Sequence, residues 1–427
     1  MNIALITNDF LPIRGGITNV MINLSKKLTE QGEKIFIFNK TCHNEDKLYF
    51  KILSNDNSLS GIIIHNFKFL YFLIYLFFKI IFSFKEIKLK DKLKLAFFYC
   101  FYLKFIVRRI ISIKNLVSYF NRFKIDIILS GTSGIPLLYS FILSKWFNIP
   151  IVSIAHGDDF LFRYPFKIKT YIFQNIEKIV VTNKIMKNLF LKIYNINSNK
   201  IFVIHLGVDI KNSIVDEPVL ELRTKFNISP NDFIILTVSR LYPRKGFDTV
   251  LKAIKLIIDE DPSIPIKYLI IGGGEEQKNI ESLISKLKLE HYVRFLGNVN
   301  DYLKNQYYKL SDLFILVPQL NKHSIEGFGI VYIEANYFKL PVIGSRTGGV
   351  RIAILDGKTG FLIKPRDVLH LKEKILFLYN NEKIRTEMGN YGYERVIKVF
   401  NWDKIALIYQ ELFNNTIKQI NNKHKNR

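Results

Sequence analysis

Two successive doubly wound α/β domains are predicted, and three observations predict them. Short apolar strands alternate with helical segments from residue 3 onward. The alternation breaks at a polar stretch near residue 209 and restarts with greater regularity. Glycine-, cation- and carboxylate-bearing loops fall where strands end. Short apolar runs that lack period-two alternation suit parallel strands covered on both faces.

The elements follow in order. In the N-terminal domain (1–208) a strand over 3–7 leads into the turn-rich NDFLPIRGG, then a helix over 17–28 closed by Gly32 and a strand over 34–38. Further strands fall at 126–129, 149–154 and 178–181. Residues 209–231, with Pro218 and Pro230, read as a linker. The C-terminal domain (232–398) has strands at 233–238, 267–271, 293–296, 312–317, 341–344 and 360–363. Helices over 247–260, 275–288, 301–309, 328–338 and 350–355 separate them. A final segment, 399–427, is a helix with the basic tail NNKHKNR. Two parallel domains on a linker are expected to face one another across a cleft at the carboxyl ends of their strands, where this class binds ligands.

Composition narrows the function. The chain has 427 residues, 48% hydrophobic and 14% aromatic, which excludes intrinsic disorder. Two distant cysteines, Cys42 and Cys100, exclude a disulfide scaffold. The opening MNIALITNDF has no basic n-region, so a cytoplasmic location is expected. The net charge of +25 is unevenly spread: residues 62–124 hold 13 Lys and Arg against only Glu86 and Asp91. Within that stretch the apolar runs 69–78, 80–84 and 95–107 are too short to span a bilayer. Aromatics interleaved with cations fit helices lying in an anionic membrane interface. Two core-packing helices with solvated lysines fit as well, and the total charge is also what A/T-rich coding would produce.

Four features carry chemistry. Gly15 and Gly16 stand after the first strand and before a helix, a place that favours a phosphate, although a bare glycine pair also makes a simple tight turn. In VSRLYPRKG, Arg240 leaves a strand and Lys245 precedes a helix, a cationic clamp for a pyrophosphate, with Arg244 expected to face solvent. In EGFGIVYIE, Glu326 and Glu334 bracket Gly327, Phe328 and Gly329. If the whole segment is helical, eight residues separate the carboxylates by about 12 Å, beyond the spacing of a glycosidase pair. That distance suits two acceptors gripping hydroxyls at opposite ends of one extended ligand. His156, in AHGDD at a strand's end, can reach a ligand, yet taken alone a histidine there is more often a structural hydrogen-bonding one. Neither HExxH nor CxxC occurs, so no metal or other cofactor is expected.

These residues resemble glycosyltransferase family 4, whose members are retaining, nucleotide-sugar-dependent enzymes of the GT-B fold. EGFGIVYIEA (326–335) resembles the family's E-x7-E motif, and VSRLYPRKGFDTVLKA (238–253) its phosphate-binding segment. Supporting matches are HLGVD (205–209), IGGGEE (271–276), FLGNV (295–299), TGGV (347–350) and DGKTGFLI (356–363). FNWDKIALIYQELF (400–413) resembles the helix that crosses back onto the first domain. The resemblance implies that Arg240 and Lys245 bind the donor diphosphate, with backbone amides near Gly15 and Gly16. It implies that Glu326 and the amides of 327–329 hold the transferred sugar, Glu334 the ribose hydroxyls, and His156 the reacting centre. One departure is Arg351-Ile352 after TGGV, where the family often carries an acid.

A dinucleotide oxidoreductase is disfavoured because Gln277 replaces the last glycine of a GxGxxG. A nucleotide-sugar epimerase of the same architecture stays open. The expected partners are a nucleotide sugar, a glycan or lipid-linked acceptor and an anionic membrane surface, not a nucleic acid. The expected setting is envelope polysaccharide or glycolipid synthesis on the inner face of the cell membrane.

Overall fold

The computed structural model describes residues 1–7, 15–40, 48–53, 117, 119–161, 166–208, 223, 228–319 and 324–425. Arg14, nearly all of the aromatic–basic stretch and the linker at 209–222 lie outside the described residues. The chain divides into two compact units, Met1–Ile204 with Ala406–Arg427, and His205–Ile405.

The first unit carries one sheet in the order β3-β2-β1-β4-β5-β6-β7. Its strands are β1 (Asn2–Thr7), β2 (Lys34–Lys40), β3 (Leu48–Leu53), β4 (Ile127–Ser130), β5 (Ile151–Ala155), β6 (Lys178–Val181) and β7 (Ile201–Val203). The expected wholly parallel sheet is corrected at one edge, where β3 pairs antiparallel with β2. Helices α1 (Gly16–Glu30), α2 (Ile135–Phe147), α3 (Asp158–Leu161), α4 (Phe166–Asn175) and α5 (Lys184–Ile193) connect the strands. On α1, Val20, Met21, Leu24 and Leu28 recur at helical spacing and are buried.

The second unit carries a six-stranded parallel sheet in the order β10-β9-β8-β11-β12-β13. These are β8 (Phe233–Val238), β9 (Ile266–Ile271), β10 (Val293–Gly297), β11 (Leu313–Leu316), β12 (Val342–Ser345) and β13 (Gly360–Ile363). Between them run α6 (Phe247–Glu260), α7 (Gln277–Lys286), α8 (Asp301–Leu310), α9 (Ile330–Tyr337) and α10 (Val350–Ala353). The chain then continues through α11 (Val368–Asn380), α12 (Glu382–Val399) and α13 (Trp402–Lys425). On α6, Phe247, Val250, Leu251, Ile254, Ile257 and Ile258 form one buried face within the core that α6 shares with β11 and α11. Burying each such side chain stabilises by roughly 1.5–3 kcal/mol. Helix α13 begins in the second unit and belongs to the first from Ala406, where Gln410 donates to Glu33.

In both sheets the strand order reverses beside the first strand of the unit, at β1/β4 and at β8/β11. Loops leaving the carboxyl ends of such a pair run in opposite directions and open a crevice between them. Gly15 and Gly16 follow β1, Arg240 and Lys245 follow β8, and Glu326 to Gly329 follow β11, whereas His156 follows β5 and Glu334 lies on α9.

Candidate active site

After β8 the chain makes a single 3-10 turn, Pro243–Lys245, and stops at Gly246. Gly246 has φ +77, and an added Cβ would meet the Val317 carbonyl oxygen at 2.1 Å. A glycine is therefore required on two counts. The Gln319 amide donates to the Arg244 carbonyl at 2.7 Å, tying this turn to the loop that follows β11. That loop carries Glu326. Its carbonyl accepts from the Gly349 amide at 2.8 Å, and Gly348, at φ +43, leaves no room there for a Cβ. The TGGV turn thus fixes the backbone of Glu326 from one side, and the PRKG turn presents cations to it from the other.

Lys245 Nζ donates to Glu326 Oε2 at 2.6 Å, and Arg244 Nη1 donates to the same oxygen at 2.9 Å. All three side chains are 12–14% exposed. Burial alone would raise the Glu326 carboxyl, but Lys245 and Arg244 outweigh it and hold it at about 2. Burial pushes the Lys245 ammonium down while Glu326 pulls it back up, and Arg244 and Arg240 repel it. The cluster is a small, partly buried, net-cationic site at the carboxyl ends of β8 and β11.

The expectation that Arg244 faces solvent is corrected. The 3-10 turn places both consecutive cations on Glu326, whereas Arg240 is exposed and lies over the Tyr242 ring, 4.9 Å from its centroid. The continuous helix over 328–338 is also corrected: α9 begins only at Ile330, with Gly329 in the left-handed region at φ +82. Glu326 therefore sits on a loop and Glu334 on a helix, and the 12 Å estimate for one continuous helix does not apply. The Phe328 ring is buried, with the His205 and Phe400 rings 6.1 Å and 5.6 Å away. Its side chain is therefore taken up by packing. Gly327 precedes it on the same loop.

Glu334 is joined to α8. Its Oε2 accepts from the buried Tyr308 hydroxyl at 3.0 Å, and its Oε1 lies 3.6 Å from Lys304 Nζ. Lys304 also pairs with Asp301 at 3.0 Å.

In the first unit, Gly15 caps α1 in extended backbone and Gly16 opens the helix. Among the described residues an added Cβ at either meets nothing within 4 Å. His156 is 8% exposed, with Nε2 2.9 Å from the Gly131 carbonyl oxygen. A carbonyl only accepts, so Nε2 carries the proton and Nδ1 is the acceptor in the neutral ring. Asp159 organises this corner: its Oδ1 accepts from the amides of His156 and Gly157, and its Oδ2 from the Ser133 amide, each at 2.9 Å.

The sequence reading gave no site role to Arg244, Asp159, Tyr308 or Lys304. Signals existed for three of them. Asp159 follows a strand end at the first turn of a helix, a capping position, and Lys304 and Tyr308 are four apart on one helix face. For Arg244 there was none, because its partner is 82 residues away. Among the described residues no three of His, Cys, Asp and Glu cluster closely enough to hold a metal ion.

Two sheets of this order, with cations and carboxylates on the loops at their reversals, define a two-domain GT-B glycosyltransferase architecture. The chain belongs to glycosyltransferase family 4. Residues 14–212 match the family model described as Glycosyltransferase Family 4, and residues 219–395 the one described as Glycosyl transferases group 1. An uncharacterized glycosyltransferase of Methanocaldococcus jannaschii is 31% identical over 314 residues, covering 68% of this chain and 80% of that protein. The N-acetyl-alpha-D-glucosaminyl L-malate synthase of Bacillus anthracis is 29% identical over 47% of this chain and 50% of its own length. The chain thus spans about half the length of that relative. Among solved structures, sucrose-phosphate synthase from Thermosynechococcus elongatus shares the fold with a TM-score of 0.72 at 20% identity, covering 98% and 99% of the two chains. Anabaena HepE, solved with UDP and glucose, does so with 0.66 at 19% identity, covering 97% and 100%.

Proposed function

We propose that the protein is a retaining transferase that moves a hexose-type sugar from a nucleotide-diphosphate sugar to a hydroxyl of a glycan or lipid-linked acceptor. The observation that carries this reading is the Arg244–Lys245–Glu326 cluster at the β8/β11 reversal. A diphosphate arriving there meets two cations already desolvated and held in place, which favours charge developing on the leaving group. The bond from the anomeric carbon to the phosphate oxygen breaks, and a bond from that carbon to the acceptor oxygen forms on the same face. The acceptor proton passes to the departing phosphate, so no protein nucleophile takes part. In the second unit Glu326 and the 327–329 backbone hold the sugar, Glu334 the ribose and Arg240 the phosphates, and in the first unit Gly15 and Gly16 offer backbone amides to an anion. His156 acts at the reacting centre. These roles need neither metal nor cofactor.

In this proposal the second unit recognises the donor and the first the acceptor. The setting is envelope polysaccharide or glycolipid synthesis at the cytoplasmic face of the membrane, with 62–124 as the contact. Among the described residues no helix is long and apolar enough to cross a membrane.

The test is a panel of nucleotide sugars incubated with glycan and lipid-linked acceptors, with the product's anomeric configuration read by NMR. Transfer with retention is expected. Inversion overturns the mechanism, and conversion of the donor without acceptor points to an epimerase instead. Co-sedimentation with anionic vesicles, and none with neutral ones, tests the membrane contact.

A further inference from the structure

Glu334 stands in an otherwise apolar helix turn, and among the described residues its carboxylate has two partners, both supplied by α8. Tyr308 is fully buried and stacks on Phe338 at 5.5 Å with an interplanar angle of 8°, so its ring cannot swing away. Its hydroxyl donates to Glu334 Oε2. Lys304, one turn earlier on the same face, stands over Oε1 and is braced by Asp301. Asn300 in turn caps α8 by accepting from the Leu303 amide at 2.8 Å, which sets the helix start.

The terminal torsion of a glutamate is broad, so an unrestrained carboxylate presents its oxygens over a wide arc. Partners on both oxygens narrow that arc. An ionised carboxylate has about four acceptor positions. Tyr308 takes one, and the Lys304 ammonium, 3.6 Å away, stands against the other oxygen, which leaves acceptor positions for two neighbouring hydroxyls.

We infer that Tyr308 and Lys304 are positioning residues that orient Glu334 toward the vicinal 2′- and 3′-hydroxyls of the donor's ribose, and so set selection for ribonucleotides over deoxyribonucleotides. The inference rests on the reading of Glu334 as the ribose ligand. Burial, with Glu334 adding to it, raises the Tyr308 hydroxyl well above its ordinary value, so it stays a donor across the working pH range.

The experiment measures binding of UDP, GDP and ADP, each beside its 2′-deoxy and 3′-deoxy counterpart, by calorimetry on the whole chain. The wild type is expected to prefer the ribo form of its best ligand by about tenfold, the scale of one hydrogen bond to a charged group. Tyr308→Phe keeps the ring packing and removes only the donor, and that preference should fall to about threefold or less. Glu334→Gln gives the floor. A wild type indifferent to both hydroxyls overturns the ribose reading of Glu334, and this inference with it. A wild-type preference that Tyr308→Phe retains in full, even with all ligands bound more weakly, overturns the inference alone. Should Tyr308→Phe fold poorly, Lys304→Gln decides by the same ratio.

Discussion

Lys245 and Glu326, 81 residues apart in the chain, meet at 2.6 Å in a partly buried ion pair. Arg244 adds a second cation on the same carboxylate oxygen. Three charges are thus held together by two loops that the β8/β11 reversal brings side by side.

Breaking this cluster by truncation confounds chemistry with stability. An alanine at Glu326 strips Lys245 and Arg244 of the carboxylate they share, a loss of about 3–5 kcal/mol. Glu326→Gln keeps the shape and an acceptor oxygen. Its transfer rate is expected to fall about 100-fold, followed as product formed at saturating donor. Lys245→Met should lose activity similarly, and the double variant should recover part of the stability each single change loses.

The same pair governs behaviour in acid. The Glu326 carboxyl is held at about 2, below its ordinary 4.5, so its stabilising contribution is complete above pH 4.5 and is lost as the pH falls towards 2. By linkage the contribution is on the order of 3 kcal/mol. Urea unfolding between pH 5 and pH 2.5 should show a steeper loss of stability in the wild type than in Glu326→Gln.

Asp159 gives the first unit its own test. Asn at this position keeps an oxygen for the His156 and Gly157 amides, but its NH₂ cannot accept from Ser133. The orphaned amide should destabilise the corner by about 1–3 kcal/mol. Hydrogen exchange is expected to quicken at 131–134 and 156–159 while α6 stays protected.

Gly207 lies against Trp402, where an added Cβ would stand 2.9 Å from the indole ring. Gly207→Ala overpacks this contact and should cost about 1–3 kcal/mol, seen as a lower melting temperature. Trp402→Leu in the same chain should relieve part of that loss, because the two residues share one contact.

Strands β8 and β13 and helix α6 were legible to the residue from pattern alone, because apolar runs bounded by glycine, proline and charge leave few alternatives. The antiparallel strand β3 was not, since pairing direction depends on a neighbour and not on local pattern. The E-x7-E segment was legible as chemistry but not as shape. The sequence places its glutamates eight apart, and the left-handed Gly329 decides that only the second is helical.

By itself the sequence determined two α/β domains, the loops that carry their chemistry and the residue types on them, since those follow from periodicity and punctuation. Tertiary structure alone decided which groups pair. Arg244 read as a solvent-facing cation until the turn Pro243–Lys245, tied to the loop after β11 by the Gln319 amide, set it on Glu326, and Glu334 gained Tyr308 and Lys304 only because α8 lies beside it. The physical reason is one of range. Local pattern reports interactions within a few residues, whereas a buried charge is set by whichever distant chain segment closes over it.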